Sequence, residues 1–403
     1  MVNVNSRLYA AHPDWALQIP GKPHSEGRNQ RVLDLTRADV QDWLIETMSG
    51  VFAGADISYV KWDMNRTFTD LYSSALPAER QGEVAHRYVQ GLYRCVRALT
   101  EKFPHILFEG CAAGGNRFDL GMLCYFPQIW GSDNTDALCR AEMQTGYSYG
   151  YPLSTVGAHL SNCPNHQTLR TTPLETRFNV ACFGQLGYEC DLCDMSSADR
   201  AAIRAQIALY KQWRDVLQAG RFYRGRSFAA GGDGNTILAA QDGNVTEWTC
   251  VAADGSRAVG LLLQKNAVPN APQQRYFARG LDEEAAYRFT NRALQYDVRE
   301  FGDLINTASP VHIRPGGLAH TLAAQFVKMD GETEAYTASG GVLMAGVKLR
   351  PAFAAVGYSA DVRHWPDGAS RLYFMEREVE ENEKTAKTQG NPPNAPDRNK
   401  EVE

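Results

Sequence analysis

Residues 58–66 read SYVKWDMNR and residues 128–137 read QIWGSDNTDA. In each, a short β-branched and aromatic run of the kind that favours strands gives way to an aspartate in a polar turn. Side chains alternate along a strand, so Lys61 and Asp63 share one face while Trp62 takes the other. Two strands that both end on a carboxylate suggest a parallel sheet, in which functional groups collect at the C-terminal strand ends.

The surrounding chain supports that sheet. Candidate strands fall at Val32–Leu35, Ser58–Lys61, Ile106–Glu109, Gln128–Ser132, Val156–His159 and Gly184–Cys190. Helical spacing separates them, notably over Arg37–Met48, with Thr36 as the expected N-cap, and over Ala78–Lys102. A further helix, Ala198–Ala219, capped by Ser196 or Ser197, closes the α/β region. Repeated βα units predict an α/β fold, a partial (β/α)8 TIM barrel over residues 1–224 with six strands where closure needs eight. Past Gly225 short runs alternate between glycine-bearing turns: Thr236–Ala240, Arg257–Gln264, Ala286–Thr290, Gly341–Leu349 and Arg371–Met375. That texture predicts an antiparallel β-sandwich over 225–377. The polar, Pro- and Asn-rich residues 378–403 have little to bury and are expected to be disordered.

Composition excludes several functions. Of 403 residues 44% are hydrophobic and 22% charged, and no uncharged apolar run reaches the length of a membrane span. Lys+Arg 41 against Asp+Glu 46 gives a net charge of -5, so a nucleic-acid or anionic-lipid surface is not expected. The opening residues show no signal-peptide pattern, and nine scattered cysteines fit reduced thiols in the cytoplasm.

Chemistry centres on Asp63 and Asp133. Lys61, on the same face as Asp63, would keep that carboxylate ionised, as a nucleophile requires. Asp136 competes with Asp133 in the second motif. Read alone, either aspartate could equally be a helix cap or a turn residue. Two carboxylates from two strands, about 5–5.5 Å apart, are the arrangement of a retaining glycosidase.

YVKWDMNR resembles the nucleophile motif of glycoside hydrolase family 36 α-galactosidases, and QIWGSDNTDA their acid/base motif. FEGCAAGGNRFDLGML is similar to the family's substrate loop. GAHLSNCPNHQTLRTTPLETR and FGQLGYECDL resemble the two barrel strands that follow, and GVLMAGVKLRPAF the C-terminal segment. The resemblance runs from residue 1 to about Arg377 and implies roles by motif. Asp63 would be the nucleophile and Asp133 the general acid/base. Arg28 in GRNQRVLDL, together with Lys61 and Asn65, would bind galactose hydroxyls, Cys111 and Gly114 would line the sugar, and Trp130 would either offer it a face or be core. Trp62 is expected to be core. The substrates implied are α-galactoside oligosaccharides of the melibiose and raffinose type, without a cofactor or metal, in a possible homo-oligomer. Related enzymes that transfer galactose or cleave α-N-acetylgalactosamine use the same carboxylates; the intact Cys111 loop argues against the latter.

Two features depart from the family. Its N-terminal β-sandwich and first two barrel strands have no counterpart here, so Met1 is expected to be an internal methionine, Val32–Leu35 an unpaired edge, and the sugar pocket incomplete. Cys163, His166, Cys190 and Cys193 mimic a four-ligand zinc spacing but fall in segments where the family uses no metal, and the cysteines are expected to be buried small hydrophobes.

Overall fold

The computed structural model describes residues 1–227, 243–268, 274–307, 309–350, 353–354 and 363–378. The chain divides into two compact units, Met1–Gln218 and Ala219–Glu403.

The first unit is built on five strands in sequential order, β1 Tyr59–Asp63, β2 Leu107–Cys111, β3 Gln128–Trp130, β4 Val156–Ser161 and β5 Gln185–Glu189. Every neighbouring pair is parallel. Helices Val84–Lys102, Ala137–Tyr147, Leu174–Ala181 and Ser197–Ala219 follow β1, β3, β4 and β5, and the one-turn helix Leu120–Leu123 lies between β2 and β3. Consecutive parallel strands joined through helices make a partial (β/α)8 barrel. The buried side chains of Phe108, Phe126, Ile129, Val156, Phe178 and Phe183 form much of its core. Register places Lys61 beside Glu109 and Glu109 beside Gln128, and two residues further along places Asp63 beside Cys111.

Local expectations were corrected in places. Val32–Leu35 joins no barrel strand: Val32 accepts a backbone bond from Leu17, Leu33 bridges to Ala16, and only Gln30–Arg31 pairs, antiparallel to Val2–Asn3. The barrel sheet therefore has five strands and ends at β1. Thr36 does not cap the helix after it, because its hydroxyl turns back to Asp34 at 2.6 Å. That helix spans Ala38–Ala53, with Arg37 at the cap position and Asp39 in its first turn. The expected helix Ala78–Lys102 begins as a 3-10 segment, Ala78–Glu83, before the α-helix. Of the two serines proposed to cap the last helix, Ser196 does so, its hydroxyl accepting from the Asp199 amide at 3.0 Å.

The second unit is an antiparallel β-sandwich. Its main sheet comprises β6 Arg221–Arg224, β7 Val245–Val251, β8 Arg257–Gln264, β9 Ala286–Asn291, β10 Ala335–Ser339 and β11 Ser370–Arg377, ordered β10-β9-β11-β8-β7-β6. Against it packs the ribbon Arg275–Tyr276/Val347–Lys348, so that Tyr276, Tyr287, Phe289, Tyr373 and Met375 share one core. Gly260 makes the close layer contact possible, since a Cβ there would stand 2.0 Å from the Tyr276 hydroxyl.

Gly341–Leu349, expected to be a strand, is instead the helix Gly340–Gly346 followed by the two-residue strand Val347–Lys348. Ser339 caps that helix, accepting from Val342, and Gly340 lies where a Cβ would meet the Asp282 carbonyl at 2.0 Å. The expected strand Thr236–Ala240 and nearly all of the expected tail lie outside the described residues.

Candidate active site

Asp63 is the last residue of β1 and Asp133 lies three residues past β3, both at the C-terminal ends of parallel strands and both exposed. A continuous set of contacts ties them together. Asn65 donates from its amide to Asp63 at 2.5 Å, and its carbonyl oxygen accepts from the Ala113 amide at 2.9 Å. Next to Ala113, Gly114 adopts φ +82 and packs so closely on the second motif that a Cβ would lie 3.0 Å from the Ser132 Cα and 3.3 Å from the Asp133 amide nitrogen. Glycine is required here both for the left-handed turn and for the approach. The Cys111–Gly115 loop thus sets the spacing between the two carboxylate loops.

Asp136, the competitor, is a structural residue. It caps the helix Ala137–Tyr147 through the Leu138 and Cys139 amides, is 2% exposed, and also accepts from Thr168 and Arg170 at 2.6 Å each. Burial pushes its carboxyl up, but these hydrogen bonds and the Arg170 charge hold it below its ordinary value. Both its carboxyl oxygens are engaged by the fold, leaving Asp133 as the exposed carboxylate of the motif.

Lys61 extends over Trp130, its Nζ 4.9 Å from the ring centroid, and comes within 3.9 Å of Glu109. The Trp130 indole also meets the Arg140 guanidinium at 4.7 Å and stacks on His159 at 4.2 Å; its N–H donates to Asp133 at 2.9 Å. Cys111 is buried beside Asp63, and burial pushes its thiol up to about 11. Trp62 points away and packs against Phe126 at 6.4 Å. Among the described residues no hydrogen bond, ion pair or ring contact joins Arg28 to this cluster; it is exposed in a left-handed turn at φ 57. Its loop is nonetheless fastened to the first motif, because Arg66 donates to the carbonyls of Gln30 and Ser25 at 2.6 and 2.7 Å.

Three titratable residues that the sequence reading left out adjoin the site. Glu109, 1% exposed, takes hydrogen bonds from Tyr59 and Gln128 on one carboxyl oxygen; the other, buried, has no hydrogen-bond partner. Burial, with the charge of Glu189 adding to it, pushes its carboxyl up to about 7. His159 is bonded to Glu189 at 2.6 Å. Burial lowers the imidazole although Glu189 pulls the other way, and the bond brings Glu189 below its ordinary value against its own burial. Strand alternation offered the signal for Glu109, which precedes Cys111 by two and so faces the same side. Among the described residues no group of three or more His, Cys, Asp or Glu could hold a metal ion.

A parallel βα sheet with two exposed carboxylates at its strand mouths is the architecture of barrel glycoside hydrolases. Comparison with known proteins gives the family. The Melibiase family profile matches residues 1–220, and the glycosyl hydrolase family 36 C-terminal domain matches 245–375. α-Galactosidase AgaA of Geobacillus stearothermophilus is 49% identical over 287 residues, 71% of this chain and 38% of its own. α-Galactosidase 1 of Pediococcus pentosaceus is 51% identical over 227 residues, 56% of this chain and 31% of its own. The crystal structure of an AgaA variant in complex with raffinose superposes with a TM-score of 0.74 at 39% identity, covering 94% of this chain and 43% of that one. The chain belongs to glycoside hydrolase family 36, and it spans less than half the length of the relatives it matches.

Proposed function

We propose that this chain carries the catalytic carboxylates of a retaining α-galactosidase. Asp63 attacks the anomeric carbon as Asp133 gives its proton to the departing glycosidic oxygen, and the carbon–oxygen bond breaks to leave a galactosyl ester on Asp63. Asp133, now ionised, takes a proton from water, which attacks the same carbon and expels Asp63, so that two inversions give net retention. Lys61, Asn65, Arg28, Cys111 and Gly114 are assigned to the sugar; the ring of Trp130, buried and covered by His159, Arg140 and Lys61, is not. The observation that carries this reading is the set of contacts from Asp63 through Asn65 and Gly114 to the Asp133 loop. It holds two exposed carboxylates at one end of the sheet while the third, Asp136, is consumed by the fold. Structures of AgaA variants contain raffinose and stachyose, which supports α-galactosyl oligosaccharides as the substrates proposed here. Nine free cysteines accord with a reducing, cytoplasmic setting.

The test is hydrolysis of an aryl α-galactoside. Asp63→Asn is expected to lower kcat by at least about a thousandfold with the fold unchanged, since it removes the nucleophile of the first step. An Asp63→Asn protein that hydrolyses the substrate at the wild-type rate would refute the assignment. The outer edge of β1 has no partner strand among the described residues, which favours a second reading: these residues bind galactose without turning it over alone. Galactose binding in calorimetry by a chain silent in the assay would select it.

A further inference from the structure

We propose that Trp130 is the positioning residue of the acid/base, holding the Asp133 carboxyl through its indole N–H; this rests on the reading of Asp133 given above. Asp133 sits in a polar turn and is itself exposed, so the turn alone leaves its side chain free to rotate. A proton donor for a glycosidic oxygen must be held within hydrogen-bond reach of that oxygen, and a displacement of about 1 Å can cost about a hundredfold in rate. Among the described residues the one hydrogen bond to the Asp133 carboxyl is the 2.9 Å bond from Trp130 Nε1.

The donor is itself immobile. Trp130 is 3% exposed and ends β3, so its backbone is fixed by the sheet. Its ring stacks on His159 at 4.2 Å with 25° between planes, and two cations lie over it, Arg140 at 4.7 Å and Lys61 at 4.9 Å. Arg140 is anchored in turn, donating to the Gly157 and Ser132 carbonyls. Gly157 completes the slot, since a Cβ there would stand 3.2 Å from the indole Cε3. A tryptophan wanted only as a sugar platform would need none of this to fix the direction of its N–H. The arrangement also couples the two halves of the reaction, because Lys61, on the strand of the nucleophile, contacts the ring that aims the acid/base.

The test is the dependence of kcat/KM on leaving group. A departing dinitrophenolate needs no proton, whereas an alkoxide does. Trp130→Phe is therefore expected to hydrolyse a dinitrophenyl α-galactoside within about threefold of wild type but to lose about ten- to a hundredfold on melibiose. In an Asp133→Ala background the same change should add no further leaving-group dependence. Equal loss on both substrates, or no loss on either, overturns the proposal, since packing or sugar contact would not discriminate leaving groups. If Asp133→Ala itself shows no leaving-group dependence, it is the acid/base assignment that has failed. Replacing Trp130 by benzothienylalanine, which keeps the ring shape and removes only the N–H, serves if the Phe variant does not fold. A readout without turnover is the indole 15N–1H resonance of Trp130. It is expected to move upfield in Asp133→Asn, and an unmoved resonance also overturns the proposal.

Discussion

Glu109 places a carboxyl 1% exposed in the barrel, with one oxygen satisfied by Tyr59 and Gln128 and the other without a hydrogen bond. Lys61 faces it from β1 at 3.9 Å, beyond hydrogen-bond reach, and Glu189 adds a like charge from β5. Its pKa accordingly rises from 4.5 in the unfolded chain to about 7. Between these values the folded protein holds a proton that the unfolded chain has released, so this group's contribution to stability falls as pH rises through that window and levels off above it. Glu109→Gln is expected to flatten the fall, raising Tm above wild type at pH 8 and leaving it closer to wild type near pH 4.5. Thermal melts at the two pH values check this, and an identical pH dependence in the two proteins would contradict it. Such a residue is hard to see in sequence. FEGC shows which face Glu109 takes, but its burial and the charge of Glu189, eighty positions away, come only from the closing of the sheet.

At the scale of elements, Asp136 shows how the fold spends one carboxylate to aim another. It starts the helix Ala137–Tyr147 and pins the loop carrying Thr168 and Arg170 to that helix end. Asp136→Ala removes a cap and leaves Arg170 without its partner, and is expected to cost about 2 kcal/mol or more in urea unfolding. Because Asp133 lies one turn upstream, activity should fall as well. The helical and strand periods made the helices Ala38–Ala53, Val84–Lys102 and Ser197–Ala219 and the five parallel strands legible, and the aspartates at two strand ends were legible too, whereas Ala137–Tyr147 and Leu174–Ala181 were not picked out. What was not legible has physical causes. Residues 341–349 have strand-like composition, yet a serine cap and a glycine under a carbonyl make them begin as a helix. Residues 245–251, VTEWTCV, show no apolar alternation because both faces are buried, Glu247 included, where it pairs with Arg226 at 2.7 Å. Val32–Leu35 has strand propensity but no barrel neighbour to pair with, so its backbone bonds go to Trp15–Leu17.

Across the whole molecule, the cysteines report on burial in both units at once. Reaction with a disulfide reagent requires a thiolate and access to it. Cys124 and Cys193 are exposed; Cys139, Cys163 and Cys190 are half-buried; Cys95, Cys111, Cys182 and Cys250 are buried, so Cys163, Cys190 and Cys193 are not the buried small hydrophobes expected from sequence. Burial pushes the thiols of Cys95 and Cys111 up to about 11 and that of Cys250 up to about 12, so these are scarcely ionised at pH 8 even before access is considered. Native protein at pH 8 should therefore show two thiols reacting fast and three slowly, with the four buried ones silent until denaturant is added. All nine should then titrate without reductant. Fast reaction of Cys111 in the native state would mean that the loop joining the two carboxylates opens to solvent, which would remove the spacing on which the proposed double displacement depends. Fewer than nine thiols in denaturant would mean a disulfide, and the reducing compartment proposed for the protein would have to be given up. A native pattern of two, three and four would instead show the strand face that carries Cys250 and the loop around Cys111 to be closed, as the proposed double displacement requires of that loop.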